Sequence, residues 1–375
     1  MALVLHIGPP KTATSYIQGC LIVARENPPA GFAVANAGWY WNGHHQIPRQ
    51  LSEHRIDQST VPNSEVVRGD HLGDLRYEIE TSQDRDLVVS SETFTNLNRD
   101  EVGILREAIP EDVEVRIVVG VRPLLGYYLS GWRETLKRGL VVPFPHDRVL
   151  GPVHFLTNRT HGVLPLAEMK EWMDNWVDRF GRDVTRVFAV PRTGSAPILT
   201  WHRFLEAGQL STDEGSLRIG ERVHIRNESL DAWSTEVAMY AGTQSGLNAE
   251  VWLAESWGGL SRADCGAVFE NVFNRIRRSV PEDVLAHDPN LLIDESQIAT
   301  LVQALEPDVQ RLRDYCSQFQ FIGELDDLID RIPAQTPEKL EDYRARTAEY
   351  PPEVYARWLV ELVKRQALET VASIP

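Results

Sequence analysis

The sequence predicts an α/β fold: a three-layer sandwich around a central parallel sheet, followed by a carboxyl-terminal helical region. Three observations lead there. Short apolar runs rich in β-branched residues recur to about residue 230, amphipathic helical patterns fall between them, and beyond that point only helical spacing remains. Strands that alternate with helices build a parallel sheet covered on both faces.

The first run, ALVLHIG (residues 2–8), is a buried strand, and TSYIQGCLIVAREN after it is a helix with Ile17, Leu21 and Ile22 inward. FAVANAGWYW gives a short strand leading into an aromatic loop that runs on to the adjacent His44 and His45. DLVVSSETF is the third strand, VEVRIVVGVRP the fourth, halted by Pro123, and VTRVFAV (184–190) the fifth. LLGYYLSGWRETLKRG and LAEMKEWMDNWVDRFG are helices, the second ending at a glycine as helices commonly do. Past residue 230, DAWSTEVAMYAGTQ, RADCGAVFENVFNRIRR, ESQIATLVQALEPDVQRLRDYCSQ and PPEVYARWLVELVKRQALETV carry apolar residues at three- and four-residue spacing. Pro351-Pro352 opens the last helix. The expected division is an α/β core over 1–230 and a helical extension over 231–375 packed on it.

With 375 residues, 42% hydrophobic and 25% charged, the chain has the composition of an ordinary globular protein with a sizeable core. Its formal net charge of -16, from 54 acidic and 38 basic residues, argues against a general affinity for nucleic acid or anionic membrane. Any anion it binds must meet a local basic pocket. Three widely spaced cysteines, Cys20, Cys265 and Cys316, make neither a CxxC metal pattern nor an even disulfide framework, which predicts a reducing, cytoplasmic setting. MALVLHIG reaches Gly8 without the basic start and long apolar stretch of a signal peptide, and no run approaches the roughly 20 apolar residues of a membrane span.

Two stretches point to anion binding. In LHIGPPKTATSYIQ the strand breaks at Gly8-Pro9-Pro10 and a helix begins behind Lys11, Thr12, Ala13, Thr14 and Ser15. A helix N-terminus at the carboxyl end of a strand offers unpaired N–H groups and a positive dipole end, Lys11 adds a full charge, and the hydroxyls add donors. The nucleoside-triphosphate loop GxxxxGK[ST] is not matched, because the glycine before the lysine is missing. In VRIVVGVRPLLGYYLSGWRE, Arg122 ends a buried strand, where a guanidinium is costly unless it meets an anion, and Ser130 follows eight residues on, about two helical turns away. Two anion sites on one sheet edge suit a ligand with two separated phosphates.

PKTATSY after the first strand, together with R-x7-S in RPLLGYYLSGW, resembles the sulfotransferases that use 3'-phosphoadenosine-5'-phosphosulfate (PAPS), and the opening LHIGPPKTATS is most similar to bacterial members of that superfamily. The resemblance covers about residues 1–230 and is specific at the two motifs. It implies a core of the P-loop-containing nucleotide-hydrolase type, with Lys11, Thr12, Ala13, Thr14 and Ser15 around the 5'-phosphosulfate and Arg122 and Ser130 on the 3'-phosphate. PAPS is then the donor and 3'-phosphoadenosine-5'-phosphate (PAP) the product, with no metal needed. Ala13 stands where glycine is usual, an exchange compatible with helical dihedrals at that residue. Tyr16 replaces a common Trp. Arg226, or the cluster Arg275, Arg277 and Arg278, are the positions open for closing over the 3'-phosphate.

Sulfuryl transfer needs the leaving oxygen neutralised and the acceptor proton removed. Lys11 is the natural stabiliser, with Ser15 or Thr14 assisting. Glu92 in LVVSSETF, just past a central strand, resembles in position the family's catalytic His or Glu, and His44 and His45 are the rival bases. His6, inside the first strand, reads as a core histidine. Trp39, Tyr40 and Trp41 could wall an acceptor pocket or plug the sheet edge, and Trp132, Arg133 and Lys137 could face the acceptor or the interior. The acceptor is open among sugar, lipid, glycan, peptide and small natural product, and a homodimer is open. An ATP-dependent phosphoryl-transfer enzyme and a non-catalytic nucleotide-binding relative are the competing readings.

Overall fold

In a computed structural model the strands Ala2–His6 (β1), Phe32–Val34 (β2), Asp86–Ser90 (β3), Glu114–Val121 (β4), Thr185–Ala189 (β5) and Gln320–Ile322 (β6) form one sheet in the order β2-β3-β1-β4-β5-β6, every pair parallel. The structure describes residues 1–52, 69–82, 85–137, 152, 166–191, 197–223, 230–245, 262–285, 289–329 and 336–372. Central β1 is registered with Leu3 opposite Leu87 on one side and Val115 on the other.

Period-two alternation divides the strand residues between two faces. Val4, Val88, Val118 and Phe188 join Ile17 and Leu21 of α1 (Thr14–Glu26) and Trp201 and Phe204 of the helix Ile198–Ala207 in one core. The alternate residues Leu3, Leu5, Val89, Ile117 and Val119 are equally buried, so both faces are covered. Each such side chain contributes roughly 1.5–3 kcal/mol on burial, enough to pin the register. Right-handed crossovers leaving in opposite directions put α1 on one face and the helices after β3 and β4 on the other.

Helices α2 (Gln46–Ser52), α3 (His71–Thr81), α4 (Arg99–Ala108), α5 (Leu124–Lys137), α6 (Met169–Phe180), α7 (Ile198–Ala207) and α8 (Glu214–Arg218) lie between the strands. Their starts are written in the sequence: Asn98 caps α4 in a capping box with Glu101, Asp70 caps α3 and Asp213 caps α8. Gly181, at φ 97°, ends α6 as the sequence predicts.

The chain forms two compact units: 1–127, 164–227 and 305–330, which hold the whole sheet, and 128–163, 228–304 and 331–375. This differs from the expected single break at residue 230, because α5 leaves the first unit after Tyr127 and α12 (Glu295–Cys316) re-enters it to supply β6. β6 is three residues long, too short for a periodicity signal inside a stretch that otherwise reads as helix. Preceding α12, the second unit holds α9 (Ala232–Ser245), α10 (Arg262–Arg277) and α11 (Glu282–Leu285), and it closes with α13 (Pro337–Thr347) and α14 (Pro352–Ala372). Asp231 there accepts from Ser234 N at 2.8 Å and from Arg277 Nε at 3.1 Å, and Trp233 Nε1 donates to Tyr350 O at 2.8 Å. No helix among the described residues is long and apolar enough to cross a membrane.

Candidate functional site

β1 leaves the sheet towards β2 and its neighbour β4 leaves towards β5, so a topological switch point lies between their carboxyl ends, where open α/β sheets hold ligands. The loop after β1 and Arg122, one residue past β4, meet there.

That loop is tightly built. Gly8 sits where a Cβ would come within 3.2 Å of both His6 Nε2 and Thr12 Oγ1, and Pro9 and Pro10 fix their own φ and remove two donors. Lys11 at φ 68° and Ala13 at φ 62° both take left-handed backbone. Each costs a non-glycine residue roughly 1–2 kcal/mol. Ala13 therefore does not have the right-handed helical dihedrals under which alanine replaces glycine without strain: it is the N-cap of α1, where the chain must reverse before the helix begins. The Thr12 hydroxyl is buried and donates to Pro9 O at 2.6 Å, which closes the loop. From the β4 side, Arg122 Nη1 donates to Lys11 O at 3.1 Å. Gly120 lets the loop settle on β4, for a Cβ there would stand 3.2 Å from Thr12 O and 2.9 Å from Phe188 Cζ.

The helix that follows has neither a side-chain cap at Ala13 nor an acidic residue in its first turn, unlike α3, α4 and α8. Its first N–H groups and dipole end face the loop, the arrangement that binds phosphate. Thr14 is buried and Ser15 exposed at that end. Tyr16 is held by its hydroxyl on Gly220 O at 3.0 Å.

The two rival bases fall into one polar cluster beside this helix. Gln18 Nε2 donates to Glu92 Oε2 at 2.7 Å, Asn42 Nδ2 donates to Gln18 Oε1 at 2.9 Å, and His45 Nε2 meets Asn42 Oδ1 at 3.1 Å. His45 Nδ1 lies 2.9 Å from Ser91 Oγ and 4.0 Å from Glu92 Oε2. Burial lowers the His45 pKa although the Glu92 carboxylate opposes it. His44 is elsewhere engaged: its Nδ1 accepts from Ser90 N at 2.9 Å and its Nε2 donates to Ala35 O at 2.9 Å, which ties the ends of β2 and β3. Fully buried, its pKa is pushed down to about 4. Both ring nitrogens of His44 are thus engaged in tying strand ends together. His6 is core, as its strand position predicts, but half-satisfied: Nδ1 meets Ser90 Oγ at 2.8 Å while Nε2, beneath the loop, has no partner among the described residues. Burial pushes its pKa down to about 3, so it places no charge under the anion loop.

Trp39 packs inward, edge-on to His44 with Arg25 over its face at 4.2 Å. Tyr40 and Trp41 remain outside on a turn closed by Tyr40 N to Gly43 O at 2.7 Å, and Trp41 is 88% exposed. Ser130 is half-buried on α5, in the part of that helix assigned to the second unit. Trp132 and Arg133 are interior, the latter donating to Asn290 Oδ1 at 2.6 Å. Arg277 pairs with Asp231, Arg275 and Arg278 are exposed, and Arg226 and the Lys137 side chain lie outside the described residues.

Gln18, Asn42 and Gly120 are the residues sequence reasoning missed. A glutamine among the inward residues of α1, next to Ile17 and one turn before Leu21, and a glycine inside the β-branched run IVVGV were the available signals. Comparison of the chain with protein-family models, with curated proteins and with solved structures finds no match.

Proposed function

We infer that the chain is a PAPS-dependent sulfotransferase with a P-loop-like core. The observation that carries this reading is the loop 8–13: left-handed at two non-glycine residues, tied to Arg122 beyond β4, and opening an uncapped helix N-terminus at the sheet's switch point. Strain of that kind persists where a backbone is shaped around a ligand. The resemblance of PKTATS with Arg122 and Ser130 to the PAPS-dependent sulfotransferases implies an anion bearing a phosphosulfate and a separate phosphate.

On this reading the acceptor hydroxyl gives its proton to Glu92, its oxygen forms the new bond to sulfur, and the bond from sulfur to the bridging oxygen breaks. The 5'-phosphate of PAP leaves with that electron pair. Lys11 and the first N–H groups of α1 neutralise the growing charge. Glu92 suits the base role because its side chain is about one-third exposed while its neighbours hold it, whereas both ring nitrogens of His45 are engaged.

Thermal unfolding in the presence of PAP, or of ATP with Mg2+, tests the donor. A ligand at 100 times its Kd stabilises by about 2.7 kcal/mol. A rise in Tm with PAP alone, lost in Arg122→Ala, is the expected result, followed by transfer of labelled sulfate to an acceptor panel. No response to PAP, or a preference for ATP, overturns the reading.

A further inference from the structure

We propose that Gln18, Asn42 and His45 form a one-way chain of hydrogen bonds that positions Glu92, leaving Oε1 as the oxygen that takes the acceptor proton. This rests on the sulfotransferase reading for its chemistry, but the chain itself does not.

The direction of every link is fixed from one end. Ionised Glu92 can only accept, so the group 2.7 Å from Oε2 must be the Gln18 amide nitrogen. That turns the Gln18 carbonyl towards Asn42, which must present its own nitrogen at 2.9 Å. The Asn42 carbonyl then faces His45 Nε2 at 3.1 Å, which must carry the ring proton. His45 Nδ1 is left as the acceptor, and Ser91 Oγ, 2.9 Å away, donates to it. The tautomer of a histidine and the orientations of two amides are all set by one carboxylate. Lowering of the His45 pKa by burial agrees with a neutral ring.

Packing makes the chain rigid. Gln18 is 1% exposed, and Gly43 leaves room for it: a Cβ there would stand 2.9 Å from Gln18 Nε2 and 3.0 Å from His45 Nε2. Asn42 is carried by the closed Tyr40–Gly43 turn, and His44 N, next in sequence, donates to Ser90 O at 2.8 Å. Loop, helix and strand end are therefore joined at the carboxylate. Among the described residues Glu92 Oε1 accepts no hydrogen bond, while Oε2 is held by Gln18 and neighboured by His45. A base whose idle oxygen is clamped offers the other in one orientation, and misplacing a reacting group by about 1 Å can cost on the order of 100-fold in rate. Gln18, Asn42 and His45 are positioning residues, and Glu92 alone touches the acceptor.

Two measurements decide it. Solvent exchange of the Gln18 side-chain amide protons, followed by NMR in 15N-labelled protein, should be slow in the native chain and should quicken in His45→Phe, two links from Gln18, and in Asn42→Ala. Unchanged exchange in both overturns the chain whatever the protein's reaction. In turnover, Gln18→Leu, which keeps the volume, should lower kcat by on the order of 10- to 100-fold, with the KM for PAPS and the Tm rise with PAP as in the native protein. An unchanged kcat, or loss of the PAP response in the variant, overturns the positioning role. Native protein that ignores PAP sinks the sulfotransferase reading instead, and the exchange measurement still judges the chain.

Discussion

Gly120 in the middle of the sheet is the sharpest test of how the anion loop is supported. Replacing it with alanine puts a Cβ 2.9 Å from Phe188 Cζ and 3.2 Å from Thr12 O, with Gly120 on β4 and Phe188 facing it on β5. Phe188 is fully buried in the core beneath α1 and α7, so the ring has little room to retreat. Overpacking of this kind costs roughly 1–3 kcal/mol. For a domain of about 150–250 residues each kcal/mol lowers Tm by roughly 2–4 °C. The second contact is with the loop's backbone, so Thr12 must lift and the Arg122 bond to Lys11 O must lengthen. Gly120→Ala is therefore expected to lower Tm, read by circular dichroism, and to weaken the PAP-induced rise as well. Adding Phe188→Leu should recover part of the stability but not the PAP response, since the carbonyl contact remains. An unchanged Tm together with a full PAP response would refute the claim that the loop rests on β4.

Stability should fall in mild acid. The buried His6 and His44 have folded pKa values lowered to about 3 and about 4, so below the ordinary value of 6.5 the unfolded chain binds the extra protons. Stability is full above pH 6.5 and is lost as pH drops towards 4, by about 1.4 kcal/mol per histidine at pH 5.5. Urea unfolding at pH 7.5 and 5.5 measures it, and His6→Asn should reduce the slope by the share of one histidine; a flat profile would contradict the neutral burial of these rings. Ala13→Gly relieves left-handed strain of roughly 1–2 kcal/mol against an entropy cost of roughly 0.5–1 kcal/mol, so Tm should rise slightly while Ala13→Val lowers it. A fall in the glycine variant would mean that Ala13 is not strained.

Much of the sheet was legible because buried parallel strands are apolar throughout: β1, β3, β4 and β5 all fall within the runs ALVLHIG, DLVVSSETF, VEVRIVVGVRP and VTRVFAV. β6 was not, since three residues following a long helix carry no period. In the site, Lys11, Arg122 and Glu92 announced themselves by charge at strand ends, which a sequence displays directly. The roles of Thr12, Ala13 and His44 were not displayed, because each depends on what lies opposite: the carbonyl of Pro9 three residues back, a reversal of the chain, or the ends of two strands. His44 and His45, adjacent in sequence, differ for the same reason, one spanning β2 and β3 and the other closing a side-chain network.

Helix α1 explains why these parts belong together. On the proposed reading its N-terminus, shaped by the strained loop, is the anion end, and Gln18, about one turn further along the same rigid element, holds Glu92. On that reading a ligand that fixes the first turn of α1 also fixes the donor that orients the proposed base. Because Gln18 is buried and Arg122 holds the loop from β4, disorder at the loop would be felt at Glu92 through α1 rather than through solvent. Donor binding and base alignment are on this reading one event in the helix.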